Sequence, residues 1–119
     1  MLKTKSFQAK KSRADGLRVC VMRRVKPEYE YDIWLKELSP TEKLLQAYVI
    51  DHTMDWKKFT PLFLKQLQKK QHILKLLIEV AEKQTVTLLC WEETSEFCHR
   101  SLVAQACARL HPQLKIKED

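Results

Sequence analysis

Glycine is almost absent: the 119-residue chain has one, Gly16. Loops that bring backbone close to phosphates are built on several glycines, so this scarcity argues against a P-loop or a dinucleotide fingerprint. No Gly-x-Ser-x-Gly elbow of the hydrolase type occurs either. Long apolar runs are missing too, and none approaches the roughly 20 residues needed to span a bilayer. The segment Met1-Leu2-Lys3-Thr4-Lys5-Ser6-Phe7 has charges with no apolar signal core behind them. A cytoplasmic location and no membrane partner are therefore expected. Cysteine is sparse, at 20, 90, 98 and 107. An even number would allow two disulfides, but nothing marks the chain as secreted, and cytosolic thiols stay reduced. Cys90, Cys98 and His99 could approach each other, but no Cys-x-x-Cys pair exists, no fourth ligand is evident and His52, His72 and His111 are scattered, so no metal and no cofactor are expected.

What is present is enough for one domain, spanning 1–119. At 45% hydrophobic residues the chain can bury a core without disulfides. The net charge is +7 and unevenly spread. Residues 1–27 hold nine Lys and Arg against Asp15 alone, a surplus of eight, and the remainder is close to neutral. A basic end attracts phosphate-bearing partners, or serves as a solvated surface. The basic segment 1–16 and the tail 112–119 are expected to be mobile.

Residues 2–7 alternate polar and apolar, the pattern of a weak strand. Asp15-Gly16 reads as a turn needing positive φ. Leu17 to Val25 is dense in β-branched residues and reads as a second strand. A short helical piece is expected over Asp32 to Leu38. Ser39-Pro40-Thr41-Glu42 then looks like a helix start, with Ser39 capping and Pro40 at the first position. Thr60-Pro61 looks like another start, although that helix can begin near Asp55. Helical periodicity continues to about Lys83, with a break near Lys70. Thr85 to Cys90 is a short apolar run of the kind buried in parallel sheets, so Val86 and Leu88 should be covered. A polar loop, Glu92 to Glu96, leads to a last helix from Phe97 or Cys98 to Leu110. This order predicts an α/β fold: a small, open, mostly parallel sheet with packed helices, layered as a single domain.

Ligands in open α/β sheets bind beyond the carboxyl ends of strands. The run ending at Cys90 opens onto such an edge, and Cys98-His99-Arg100 begins the helix that follows. At about 100° per residue, Leu102, Val103, Ala106, Cys107 and Leu110 form one stripe. His99 projects onto its middle, Cys98 beside it and Arg100 off the opposite margin. Cys98 could be an activated thiol, with a pKa lowered by the helix N-terminus and more reactive than Cys20, Cys90 or Cys107. His99 could be a base. Both could equally be structural, His99 bonded to a backbone carbonyl or to Glu92, and Cys98 a small buried hydrophobe.

Cys90-x-Glu92 followed by Cys98-His99-Arg100 resembles the signature of the YeaO-like proteins, a domain of unknown function. Asp15-Gly16-x-Arg18-Val19 and Trp34-Leu35-Lys36-Glu37-Leu38-Ser39-Pro40 are similar to that family's upstream motifs, so the resemblance runs from about Asp15 to Arg109. The family's Val-Asp-Arg-x-Trp-Pro-Arg-Gly survives here only as Arg23, with Met22 in place of the acidic residue. Trp91 stands where relatives carry a small residue. The resemblance implies an α/β fold and no particular reaction.

Two functional readings follow. In the first, an anionic or nucleotide-like small molecule binds at the junction of the strand 85–90 and the helix 98–110. Arg23 and Arg100 supply positive charge, Glu92 fixes orientation, and Cys98 and His99 carry any catalytic chemistry. Arg23 should then reach the same sheet edge as Glu92 and Arg100. In the second, the basic N-terminal segment makes the protein a non-enzymatic nucleic-acid-binding or interaction module. The sequence leaves open whether the protein is an enzyme, and its oligomeric state.

Overall fold

The computed structural model describes residues 1–94 and 96–119; Ser95, inside the polar loop read at 92–96, lies outside the described residues. Five strands form one open, wholly parallel sheet: β1 (Leu2–Ser6), β2 (Leu17–Cys20), β3 (Ile33–Trp34), β4 (Val86–Cys90) and β5 (Ile116–Lys117), in spatial order β3-β2-β4-β1-β5. The helices are α1 (Glu42–Leu45), α2 (Trp56–Gln68), α3 (Gln71–Lys83) and α4 (His99–Leu110). Among the described residues no helix is long and apolar enough to cross a membrane.

β4 lies in the middle of the sheet, and all five of its residues are buried, Val86 and Leu88 completely. Its unbroken apolar character has this cause: a central strand is covered on both faces. On one face Leu2, Val19, Val86 and Leu88 share a core with Phe59, Phe63, Leu67 and Leu74 of α2 and α3 and with Leu102, Val103 and Cys107 of α4. The other face is polar. Lys5 and Arg18 both pair with the buried carboxylate of Asp15, at 2.8 and 2.5 Å, and the Thr87 hydroxyl donates to the Asp15 carbonyl at 2.6 Å. Gly16 makes the turn beside them with φ +62°, and a Cβ there would lie 2.2 Å from the Thr85 carbonyl oxygen. Only glycine fits.

Several elements differ from their sequence reading. The strand expected to run to Val25 ends at Cys20, after which Val21 turns its carbonyl toward His99. The helical piece expected at 32–38 is β3 followed by a 3-10 turn, Lys36–Leu38. Thr41, not Ser39, caps α1, accepting from the Leu44 N–H; Ser39 is buried and held by Lys36 and Gln66 instead. A π-helical turn, Gln46–Ile50, follows α1. Asp55 caps α2, which therefore starts before Pro61 and carries it within the helix. The break expected near Lys70 separates α2 from α3.

The chain ends are tied into the sheet. β1 is an interior strand between β4 and β5, and the charged tail pairs as β5. Asp119 then reaches Arg100 and Thr4.

Candidate functional site

β4 and β2 are parallel neighbours, so their carboxyl ends open at the same edge. There the chain leaves β4 at Cys90, turns through Trp91 and Glu92, and returns to α4 at Cys98. Phe97 makes the return with φ +60°, a costly conformation for an aromatic residue. Two contacts hold it: the Tyr48 hydroxyl donates to its carbonyl at 3.1 Å, and Trp56 packs edge-on against its ring. Cys98 is the residue before α4, with extended backbone, and His99 opens the helix.

This turn gathers four chemically active side chains. One carboxylate oxygen of Glu92 accepts from the Cys90 thiol at 3.3 Å and from the Cys98 thiol at 3.2 Å. Cys90 Sγ is 3.5 Å from His99 Nδ1. His99 Nε2 is 2.7 Å from the Val21 carbonyl oxygen. A carbonyl only accepts, so Nε2 bears the proton; Cys90 Sγ, 3.7 Å from Nε2 as well, lies against the ring and off the Nδ1 lone-pair axis. Phe63 steadies the ring edge-on, with centroids 5.6 Å apart. The Sγ atoms of Cys90 and Cys98 and a His99 ring nitrogen all lie within 4.8 Å of one another.

Beneath them lies Arg100, wholly buried. It donates to Cys98 Sγ at 3.2 Å and, through two nitrogens, to both Asp119 oxygens at 3.3 and 2.8 Å. Thr4 donates to the same carboxylate at 2.6 Å. Helical projection put Arg100 at the stripe's margin, but α4 packs against the sheet and also against α2 and α3. A helix covered from two sides buries more than one stripe, and Arg100 lies in the second.

Electrostatics follow from these contacts. Burial raises the Glu92 carboxyl, but its backbone N–H and the two thiols outweigh that and hold it below its usual range. For His99 burial opposes the imidazolium, while Cys98, the Val21 carbonyl and Glu92 favour it and win. Cys98 goes the opposite way from the sequence expectation. Its contact with Cys90 and its burial push the thiol far above the ordinary value. Burial also raises Cys20 to about 11 and Cys107 to about 12. The helix N-terminus would favour a thiolate, but at 1% exposure desolvation is the larger effect. Cys98 is not the exposed, activated thiol that its margin position suggested.

Over the cluster lies a cavity of about 390 Å³. Cys90, Glu92 and His99 line it from below, and Arg23, Arg24, Lys26, Tyr29 and Trp91 from around. Arg23 and Glu92 thus share one edge, as expected, whereas Cys98 and Arg100 do not line the cavity. The Arg23 Nε donates to the Pro40 carbonyl at 2.5 Å, which fixes the side chain at the rim. Trp91 is 45% exposed and stacks on Tyr29, which stacks on Phe7. Sequence reasoning missed Asp119 and Tyr29. Neither has a local signal: one closes a charged tail, the other lies in an irregular connection. The charge run Arg23-Arg24-x-Lys26 was the one cue to the cavity's basic rim.

The DUF488-N3a family model, the active DUF488-N3 subclade, matches residues 2–109, from β1 through all but the last residue of α4. No curated protein and no solved structure matches the chain.

Proposed function

We propose that this chain, which belongs to the DUF488-N3a family of DUF488-type domains of unknown function, binds an anionic, nucleotide-like small molecule in the cavity over Cys90, Glu92 and His99. One observation carries the reading: Arg23, Lys26 and Arg24, the last paired with Glu42 at 2.6 Å, line a single cavity at the carboxyl edge of a parallel sheet together with the stacked pair Tyr29 and Trp91. That edge is where open α/β sheets take ligands. Cations neutralise a phosphate, and an aromatic face receives a planar ring. At about 390 Å³ the cavity falls within the ordinary range for small-molecule sites.

Arg23 supplies charge at the rim, and Glu92 accepts from ligand hydroxyl or amino groups. Arg100 acts from beneath, holding Cys98, and does not touch the ligand. His99, with Nε2 committed to Val21, is the one ring at the cavity floor able to take a proton, on Nδ1. A reducing cytoplasm suits four unpaired thiols. Of the residues that resemble the YeaO-like signature, Cys90, Glu92 and His99 form this floor, and Cys98 and Arg100 lie beneath it.

The basic N-terminal segment offers less to nucleic acid than its charge count implies. Lys5 and Arg18 are tied to Asp15, and Lys11 pairs with Glu30 at 3.1 Å.

A thermal-shift screen of nucleoside monophosphates and sugar phosphates tests the proposal, run on wild type and Arg23→Ala. At a hundredfold excess over Kd a bound ligand adds about 2.7 kcal/mol. The expected result is a class of phosphates that raises the melting temperature of wild type and not of Arg23→Ala. Equal shifts in both proteins, or none in wild type, overturn it.

A further inference from the structure

We propose that Cys90, Cys98 and His99 form the core of a Zn²⁺ site at the junction of β4 and α4, with Glu92 swinging in as the fourth ligand. The argument is geometric. With Zn–S near 2.3 Å and Zn–N or Zn–O near 2.0–2.1 Å, a tetrahedral site has ligand–ligand edges of about 3.5–3.8 Å. The structure has Cys90 Sγ to His99 Nδ1 at 3.5 Å, Cys90 Sγ to Glu92 Oε2 at 3.3 Å and Cys98 Sγ to Glu92 Oε2 at 3.2 Å. The sulfurs and the ring nitrogen all lie within 4.8 Å of one another. Metal binding has to turn the His99 ring, since Cys90 Sγ is also 3.7 Å from Nε2, and has to bring Glu92 toward the ring nitrogen.

Chemistry agrees with the geometry. Two sulfurs, an imidazole and a carboxylate form a donor set that selects a borderline-soft, tetrahedral cation. The surrounding contacts have the form of outer-shell support. His99 donates Nε2–H to the Val21 carbonyl, which fixes the tautomer and leaves Nδ1 as the ligating atom. Arg100 donates to Cys98 Sγ, a bond far stronger to a thiolate than to a thiol. Asp119 and Thr4 lock Arg100 in turn. Two thiolates and a carboxylate exceed the two positive charges of zinc by one, and the buried guanidinium offsets that excess.

In the sequence the ligands span ten residues, Cys90 to His99, with no repeated spacing. Cys98 and His99 are adjacent, and the loop from Glu92 must fold back to bring them under Cys90. With zinc bound, Glu92 and His99 Nδ1 serve the metal and not a ligand in the cavity, and Arg23, Lys26 and Trp91 remain to hold that ligand.

Cobalt is the test. Wild-type protein, reduced and stripped with a chelator, is titrated with Co²⁺ and then with Zn²⁺. The expected result is one equivalent bound, with the intense visible bands of four-coordinate cobalt, a near-ultraviolet thiolate charge-transfer band, and displacement by zinc. Cys90→Ser should reduce the charge-transfer band to about half, since one of two thiolates is lost. X-ray absorption on zinc-loaded wild type needs no variant and should show two sulfurs and two nitrogen or oxygen neighbours. A shell without sulfur, no charge-transfer band in wild type, or a folded Cys90→Ser with an unchanged spectrum would overturn the site.

Discussion

Two polar clusters lie against β4, and they are built differently. On the sheet's outer face Lys5 and Arg18 share the one carboxylate of Asp15, and Arg18 spends its other nitrogens on the Glu30 carbonyl. At the carboxyl edge Glu92 meets two thiols and a histidine, and the cluster opens on a cavity. The first has no group left over for a ligand. The second concentrates donors of metal-binding and proton-transfer type where substrates enter α/β sheets. Burial alone does not separate structural polarity from functional polarity; the balance of partners does.

The sharpest way to break this comparison is to damage the closed cluster. Asp15→Ala leaves Arg18 buried without its carboxylate, and such losses cost about 3–5 kcal/mol. Urea unfolding should show this, with phosphate-ligand affinity unchanged in the folded fraction. A loss under 1 kcal/mol would mean the cluster is not the structural one.

Gly16→Ala comes next. It forces a Cβ against the Thr85 carbonyl at a positive φ, and backbone strain of this kind costs about 1–3 kcal/mol. The same unfolding assay reads it, and a neutral substitution would show that the turn can move.

Acid offers a graded test. Burial raises the Asp15 carboxyl, but Lys5, the Ser12 N–H and Arg18 outweigh it, and the folded value lies below the ordinary one. Asp119 is lowered in the same way by Arg100 and Thr4. A depressed folded pKa contributes stability above the unfolded value, and that stability is lost as pH falls through the folded value. Unfolding free energy should therefore be level near neutrality and decline below about pH 4. In Asp15→Asn the decline should be shallower; an identical slope would remove Asp15 from the account.

The smallest effect on stability should come from the rim of the open site. Trp91→Ala removes a half-exposed ring, and surface changes of this type stay within about 0.5 kcal/mol. Binding of a nucleoside monophosphate should nonetheless weaken by about 5- to 150-fold, as stacking on an aromatic ring contributes about 1–3 kcal/mol. Unchanged affinity would take Trp91 out of the site.

Much of this was legible in the sequence. The apolar run at 85–90 and the helix after it could be read, because period and turn chemistry pointed the same way; Glu92, Cys98 and His99 were singled out by their place at the strand–helix junction and by a motif. Arg23 was placed correctly through strand direction alone. What could not be read depended on long-range packing. Arg100 was placed off the stripe's margin because a helical wheel assumes one buried face, and α4 packs against the sheet and against α2 and α3. Cys98 was expected to be activated because the local dipole is visible in a sequence and desolvation is not. Asp119 gave no signal, since its role exists only when the tail pairs beside β1 and lies over α4.

The most direct measurement is an amide and indole NMR titration of wild-type protein with a nucleoside monophosphate. Site-specific shifts should appear at residues 22–26, at Trp91, Glu92 and His99, and be absent at Asp15 and Arg18. Shifts confined to Lys10, Lys11 and Arg13, or spread evenly over the basic surface, would contradict the account and return the function to the N-terminal segment.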